Sequence, residues 1–209
     1  MATQDLNVGF FIDGDIGSDA QDAHSQASGT VNSTGGAQPN AIQYFQSSGR
    51  GGGTYRYTRT FLNFDTSGIT GTTGTVTLSI PGNTNADTTV IAVKSTHTTP
   101  THASGDDFNN IDVNTPYSSA TSWGTGTNTI TLNSDAIAQI ENEHDFDVAL
   151  LLAVDVENEE EPIEEDGDLA CGVNFSGTIT LNYTAAVVPS PYASFNSGKY
   201  KITSGKIKI

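Results

Sequence analysis

The sequence predicts an all-β protein, an antiparallel β-sandwich of the jelly-roll type with one short helix and an extended C-terminal arm. Short segments that alternate apolar and polar residues recur along the 209 residues, and alternation is the period of a half-buried strand. Thr, Ser, Asn and 22 glycines fill the stretches between them, a composition that favours strands and frequent turns. A single segment carries a helical period.

Taken in order, LNVGFFID places Leu6, Val8, Phe10 and Ile12 on one face and predicts a strand. The small polar stretch that follows, to about Asn40, predicts a loop, and AIQYF (41–45) a short strand. SSGRGGG reads as a glycine-rich turn, and TYRYTRTFLNFD (54–65) as a long strand with aromatic residues on both faces. GTVTLSI sets Val76, Leu78 and Ile80 on one side. PGN is expected to turn and TTVIAVKS (88–95) to pair back as a hairpin.

Residues 96–127 are rich in Thr, Ser, Asn and Gly and predict long loops, followed by a strand at NTITL (128–132). SDAIAQIENEH (134–144) is the helix, with Ser134 as its cap and Ile137, Ile140 and His144 on one side. FDVALLLAVDV (146–156) reads as one core strand carrying Phe146, Val148, Leu150, Leu152, Val154 and Val156. An acidic loop and a last body strand, GTITLNYT (177–184), follow. AAVVPSPYASFNSG, stiffened by Pro189 and Pro191, reads as a linker. The expected organisation is a sandwich domain over 1–185 and a linker with a basic docking arm over 186–209.

Charge divides sharply along the chain. Residues 1–168 hold all 24 acids and four bases (Arg50, Arg56, Arg59, Lys94), a balance of −20. Residues 169–209 hold four lysines and no acid, a balance of +4, and the whole carries −16. So acidic a body repels nucleic acid and anionic membrane, and neither is expected as a partner. Cys171 is the only cysteine, so no disulfide forms within the chain and no CxxC metal site exists. MATQDLNVGF has neither a basic leader region nor a long apolar run, so folding in a reducing cytoplasm is expected. VALLLAV (148–154) is too short to span a membrane.

The stretch RTFLNFDTSGITGTTGTVTLSI (59–80) resembles a segment of carbohydrate-binding-module-like jelly rolls, including the DNRLRE family. Arg59, Phe61, Leu62, Phe64, Asp65, Ser67 and Ile69 match its pattern, and Leu78 and Ile80 continue it. The preceding DAHSQASGT…YFQSSGRGGGTYRYTR is similar to the variant of this module found in phage and other virion-associated proteins, over about residues 5–185. The resemblance implies a jelly roll, in a family that holds both sugar binders and plain structural modules, so fold does not settle function. The matched residues themselves read as structural. Leu62 and Phe64 face one way and Phe61 the other, which buries the strand on both sides. Asp65 closes it and can accept backbone N–H groups of the TSGI turn. Arg59 is expected to pair with a carboxylate or carbonyls.

No constellation for catalysis stands out. GRGGG precedes a strand, the wrong context for a phosphate loop. Cys171 has no histidine near it in sequence and reads as a small core residue. His97 and His102 lie near Asp106 and Asp107 in a polar loop and match no metal signature; His144 beside Asp145 and Asp147 is equally unremarkable. DGDIGSD (13–19) begins like a calcium loop with Asp13, Asp15 and Asp19, but His24 stands where its twelfth-position glutamate belongs. DVENEEEPIEEDGD (155–168) packs nine acids into fourteen residues and reads as a solvated, self-repelling loop. Neither a metal nor any other cofactor is expected, nor enzyme activity. Trp123, the one tryptophan, with Tyr117 offers a thin aromatic platform for a glycan if the two are exposed.

The tail SGKYKITSGKIKI repeats GKYKI as GKIKI seven residues on. In an extended chain Lys199, Lys201, Lys206 and Lys208 alternate with Tyr200, Ile202, Ile207 and Ile209. The tail reads either as a final hairpin on its own domain or as an arm that adds as a strand to another subunit. The docking arm is the preferred reading, with those eight residues as the partner-binding set. The expectation is a non-enzymatic phage virion structural protein, assembled in the host cytoplasm. It would be a capsid decoration, cement or head-fibre-type protein that docks on the major capsid protein and on its own copies as a homo-oligomer. The second class is a glycan- or receptor-binding module of a tail or fibre.

Overall fold

The computed structural model describes residues 1–15, 23, 26–32, 36–49, 52–85, 87–96, 105–157 and 168–187. Among them the strands are β1 (Ala2–Asp5), β2 (Val8–Gly14), β3 (Gly29–Asn32), β4 (Ala37–Gly49), β5 (Gly52–Asp65), β6 (Thr77–Thr84), β7 (Thr88–Ser95), β8 (Ile111–Pro116), β9 (Thr121–Trp123), β10 (Gly126–Thr131), β11 (Asp145–Leu152), β12 (Asp168–Asn174) and β13 (Thr180–Tyr183). A 3₁₀ turn covers Gly105–Asn109, and two helices cover Ser134–Asn142 (α1) and Ala153–Glu157 (α2). Every pairing is antiparallel. The expected all-β antiparallel sandwich is what forms.

Two long strands hold it together. β5 pairs with β2 on one side; on the other it pairs with β11 over its C-terminal half and with β4 over its N-terminal half. β4 then continues onto β12, and β12 onto β6. The hydrogen-bonded path therefore runs without a break from β1 to β8. The Thr60 hydroxyl donates to the Ala41 carbonyl where β4 and β11 part company. β4 accommodates Pro39 because its register against β12 shifts between Cys171 and Val173, a bulge that spares a ladder bond.

β5 is buried on both faces, as its aromatic pattern predicts. Phe61 stacks on Phe10 with ring centres 5.2 Å apart, while Phe64, three residues on and so on the opposite face, meets Phe146 at 6.2 Å. Tyr117 extends that second cluster, 5.7 Å from Phe146. Asp65 ends the strand as expected, its carboxylate accepting the Ser67 N–H at 3.0 Å. The Ser67 hydrogen bonds hold the Asp65 carboxyl below its ordinary value.

Several expected boundaries move. β6 runs straight through Pro81-Gly82-Asn83 and does not pair with β7. β7 instead joins the sheet of β11, because Val90, Ile91, Ala92 and Val93 are all buried and need cover on both faces. The polar stretch 96–127 contributes β8 and β9 along the other side of β7. β1, β3 and β12 arise where no strand was expected. The helix is capped by Asn133 rather than Ser134; the Asn133 side chain accepts the N–H groups of Asp135 and Ala136 at 3.1 Å. The expected strand 146–156 stops at Leu152, and α2 carries Val154 and Val156.

His144 follows α1 and has φ 61°. A left-handed residue of this kind stops a helix, and glycine adopts it without a Cβ penalty. His144→Gly is expected to raise stability by about 0.5–1 kcal/mol, the relief of ~1–2 kcal/mol of left-handed strain less the entropy of a new glycine. Urea denaturation of the two proteins measures it.

Candidate functional site

The residues singled out from the sequence divide by place. Lys199, Tyr200, Lys201, Ile202, Lys206, Ile207, Lys208 and Ile209 lie outside the described residues, as do Asp19, His24, His97, His102 and positions 158–167 of the acidic run. Trp123 and Tyr117 are described, and both are buried, at 4% and 1% exposure. The Trp123 indole donates to the Gly172 carbonyl at 3.2 Å, and the Tyr117 hydroxyl donates to Gln139 Oε1 at 2.8 Å. Burial raises the Tyr117 phenol above its ordinary range. The two rings therefore offer no stacking platform. Sequence spacing placed them in polar loops, but β9 pairs with β7 and carries Trp123 inward.

Cys171 is a core residue, as expected. Its thiol shares a hydrogen bond of 2.8 Å with the Thr88 hydroxyl, and burial pushes its pKa up. Thiol-reactive dye at mildly alkaline pH is expected to label the native protein far more slowly than the urea-unfolded chain, read as absorbance against time.

Asp155 corrects the reading of the acidic run as wholly solvated. It is 2% exposed and forms a two-pronged ion pair with Arg59: Nε donates to Oδ2 at 2.8 Å and Nη2 to Oδ1 at 2.7 Å. Arg59 Nη1 also donates to the Phe108 carbonyl at 3.0 Å and to Asn109 Oδ1 at 2.9 Å. Its guanidinium lies 4.1 Å from the Phe108 ring centre. Arg59 thus meets both kinds of partner expected of it, a carboxylate and a carbonyl. It ties β5 to the 3₁₀ turn and to α2, and every guanidinium nitrogen is engaged. This is a structural centre, its polar groups spent on one another.

The opposite face of β5 carries a different arrangement. Asp13 on β2 and Gln43 on β4 both stand across from Thr58, and Phe45 stands across from Arg56, so register alone brings five side chains onto one face. The Thr58 hydroxyl donates to Asp13 Oδ1 at 2.7 Å, and Asn32 Nδ2 on β3 donates to Asp13 Oδ2 at 2.9 Å. These bonds occupy Asp13, the first residue of the apparent calcium loop. Among the described residues no three His, Cys, Asp or Glu side chains converge as metal ligands. Arg56 is held loosely. Nη2 donates to Gln43 Oε1 at 3.4 Å, Nη1 stands 3.9 Å from Asp13 Oδ2, and the guanidinium is 5.9 Å from the Phe45 ring centre. The buried Arg56 Nε has no hydrogen-bond partner among the described residues. The Arg56 and Asp13 side chains keep 34% and 26% of their surface.

The cluster is a mixed set: a carboxylate, the part-buried Asn32 amide and the buried Gln43 amide, a loosely held cation, and a partly buried ring. Sequence reading passed over it because its members lie on four strands. The available signal was polar residues, Asp13, Gln43, Arg56 and Thr58, interrupting otherwise apolar or aromatic strands. No family model matches the chain, and no curated protein matches it.

Proposed function

We propose that this chain is a non-enzymatic structural protein of a phage virion, a capsid decoration, cement or head-fibre-type component that docks on the major capsid protein through its C-terminal segment. The observation that carries this reading is the division of charge, −20 over residues 1–168 against +4 over 169–209. A segment whose four lysines alternate with Tyr and Ile is built to lie on an acidic, partly apolar surface by strand addition. The fold supports it in two ways. A sandwich closed on its own core leaves a threonine- and acid-rich exterior suited to high local concentration. Its last described contact is the Ala186 N–H to the Gly71 carbonyl at 3.0 Å. The 22 residues beyond Val187 could reach about 70 Å fully extended, far enough to reach a neighbouring subunit.

Incorporation into particles tests the reading. A chain lacking 189–209 is expected to fold with the melting temperature of the full protein and to be missing from purified particles. Full-length binding should weaken as salt rises. Normal incorporation of the shortened chain would sink the docking role.

A further inference from the structure

β10 is an edge strand with an open backbone. It pairs with β6 along one side, and among the described residues no strand lies on the other. The Leu132 N–H donates to the Val76 carbonyl at 3.0 Å, one step beyond the Thr131–Thr77 pair. Strand alternation then turns the N–H and C=O groups of Asn128 and Ile130 toward β6 and those of Thr127, Thr129 and Thr131 away from it. Other edges are guarded or short. On β8, Pro116 lacks an N–H, Asp112 accepts the Asn114 N–H at 3.0 Å, and the register against β7 shifts between Val93 and Lys94. β1 and β3 have four residues each and β9 has three. β10 keeps an unbroken register over six residues and carries no proline, charge or bulge, the devices that keep an edge from pairing with other chains.

Charge selects what covers this edge. With −16 on each chain, two copies repel over most approaches. Residues 66–86, 113–134 and 169–198 hold no charged residue, and they supply the whole of β6, β10 and β13. In register, Thr129 stands beside Ser79 and Thr180, and Thr131 beside Thr77 and Asn182, so the sheet next to the open edge is neutral. A charged partner gains nothing from such a surface, whereas a second copy meets no like charge there. We propose that β10 is the self-association surface of this chain, two copies pairing β10 to β10, antiparallel, about a two-fold axis at Thr129. Thr129 then faces Thr129 of the second copy, and Thr127 faces the second copy's Thr131. Each facing pair exchanges two backbone hydrogen bonds, and the sheet runs on from one copy into the next. An open groove of about 320 Å³ along this edge, between Thr129 and Thr131 and the stretch of Ser118, Ser119 and Thr121, leaves the incoming strand room. The contact uses no residue of the C-terminal segment and does not depend on the capsid reading.

Sedimentation equilibrium of the full chain tests it. A dimer is expected, and raising salt to about 1 M, where the Debye length is about 3 Å, should tighten it by screening the charge of the two bodies. At low salt, Thr129→Glu and Thr129→Lys each set like charges across the axis and should weaken association at least tenfold, which is about 1.4 kcal/mol. Mixed in equal amounts, the two variants should associate again, because Glu then faces Lys. Thr129 is exposed, so both variants should keep the native Trp123 fluorescence. A parent chain that stays monomeric up to about 1 mM, an association free energy of about −4 kcal/mol, would overturn the proposal. So would a dimer that survives both substitutions, or a mixture no more associated than its components. Association that weakens with salt would also overturn it and assign the contact to the C-terminal lysines.

Discussion

Asp155→Ala is expected to lower the unfolding free energy by about 3–5 kcal/mol, because it leaves the Arg59 guanidinium buried without its countercharge. The expectation rests on geometry: both side chains are 1% exposed, and the pair is two-pronged at 2.7 and 2.8 Å. Exposed ion pairs contribute far less, and Lys94–Glu143 at 3.8 Å, with 33% and 52% of the side chains exposed, is such a case. Lys94→Ala should therefore change stability by under about 1 kcal/mol. A third variant separates the loss of a pair from the loss of a charge. Arg59→Met with Asp155→Leu fills similar volume with apolar groups and should recover much of the deficit. Urea denaturation of all four proteins checks the order. An Asp155→Ala protein as stable as the parent would show that the pair does not hold α2 and the 3₁₀ turn to β5.

Trp123→Ala should cost about 3–5 kcal/mol, the usual penalty for emptying a large aromatic site in a core. Gly172 adds to it, since its carbonyl accepts the indole N–H at 3.2 Å and would lose that donor. Backbone packing there is close: a Cβ on Gly82 would clash with the Gly172 oxygen and stand 2.9 Å from the indole nitrogen. Trp123→Phe should fall between the two, keeping a ring and losing the hydrogen bond. Intrinsic fluorescence follows the same site, because Trp123 is the only tryptophan. Its emission should be blue-shifted in the native protein and move to the red on unfolding. A native spectrum of a water-exposed indole would contradict the burial.

The places where local pattern was a good guide share a physical cause. β5, the Asp65 turn and α1 are written in neighbouring residues: alternation, a strand-closing carboxylate, a helical period with a polar residue ahead of it. Asp65 reaches Ser67, two positions on. Where local pattern misled, the deciding partner was far away in sequence. FDVALLLAVDV reads as one strand, yet it breaks after Leu152, and Asp155, two residues into α2, binds an arginine 96 positions earlier. LACGVN lacks a strand's usual alternation because Ala170, Cys171, Gly172 and Val173 are all packed, between β4 and β6. The Arg56 cluster was hidden for the same reason, its members being drawn from four strands.

By itself the sequence determined the fold class, the two-faced burial of β5, and the acidic body set against a basic tail, because alternation, composition and charge are local or additive properties. Only the tertiary structure decided which strands pair, that Trp123 and Tyr117 face inward, that Asp155 leaves the acidic run to hold Arg59, and that Asp13, Asn32, Gln43 and Arg56 share one face. Those outcomes depend on strand register, and register is set by the whole core closing at once rather than by any one stretch of chain.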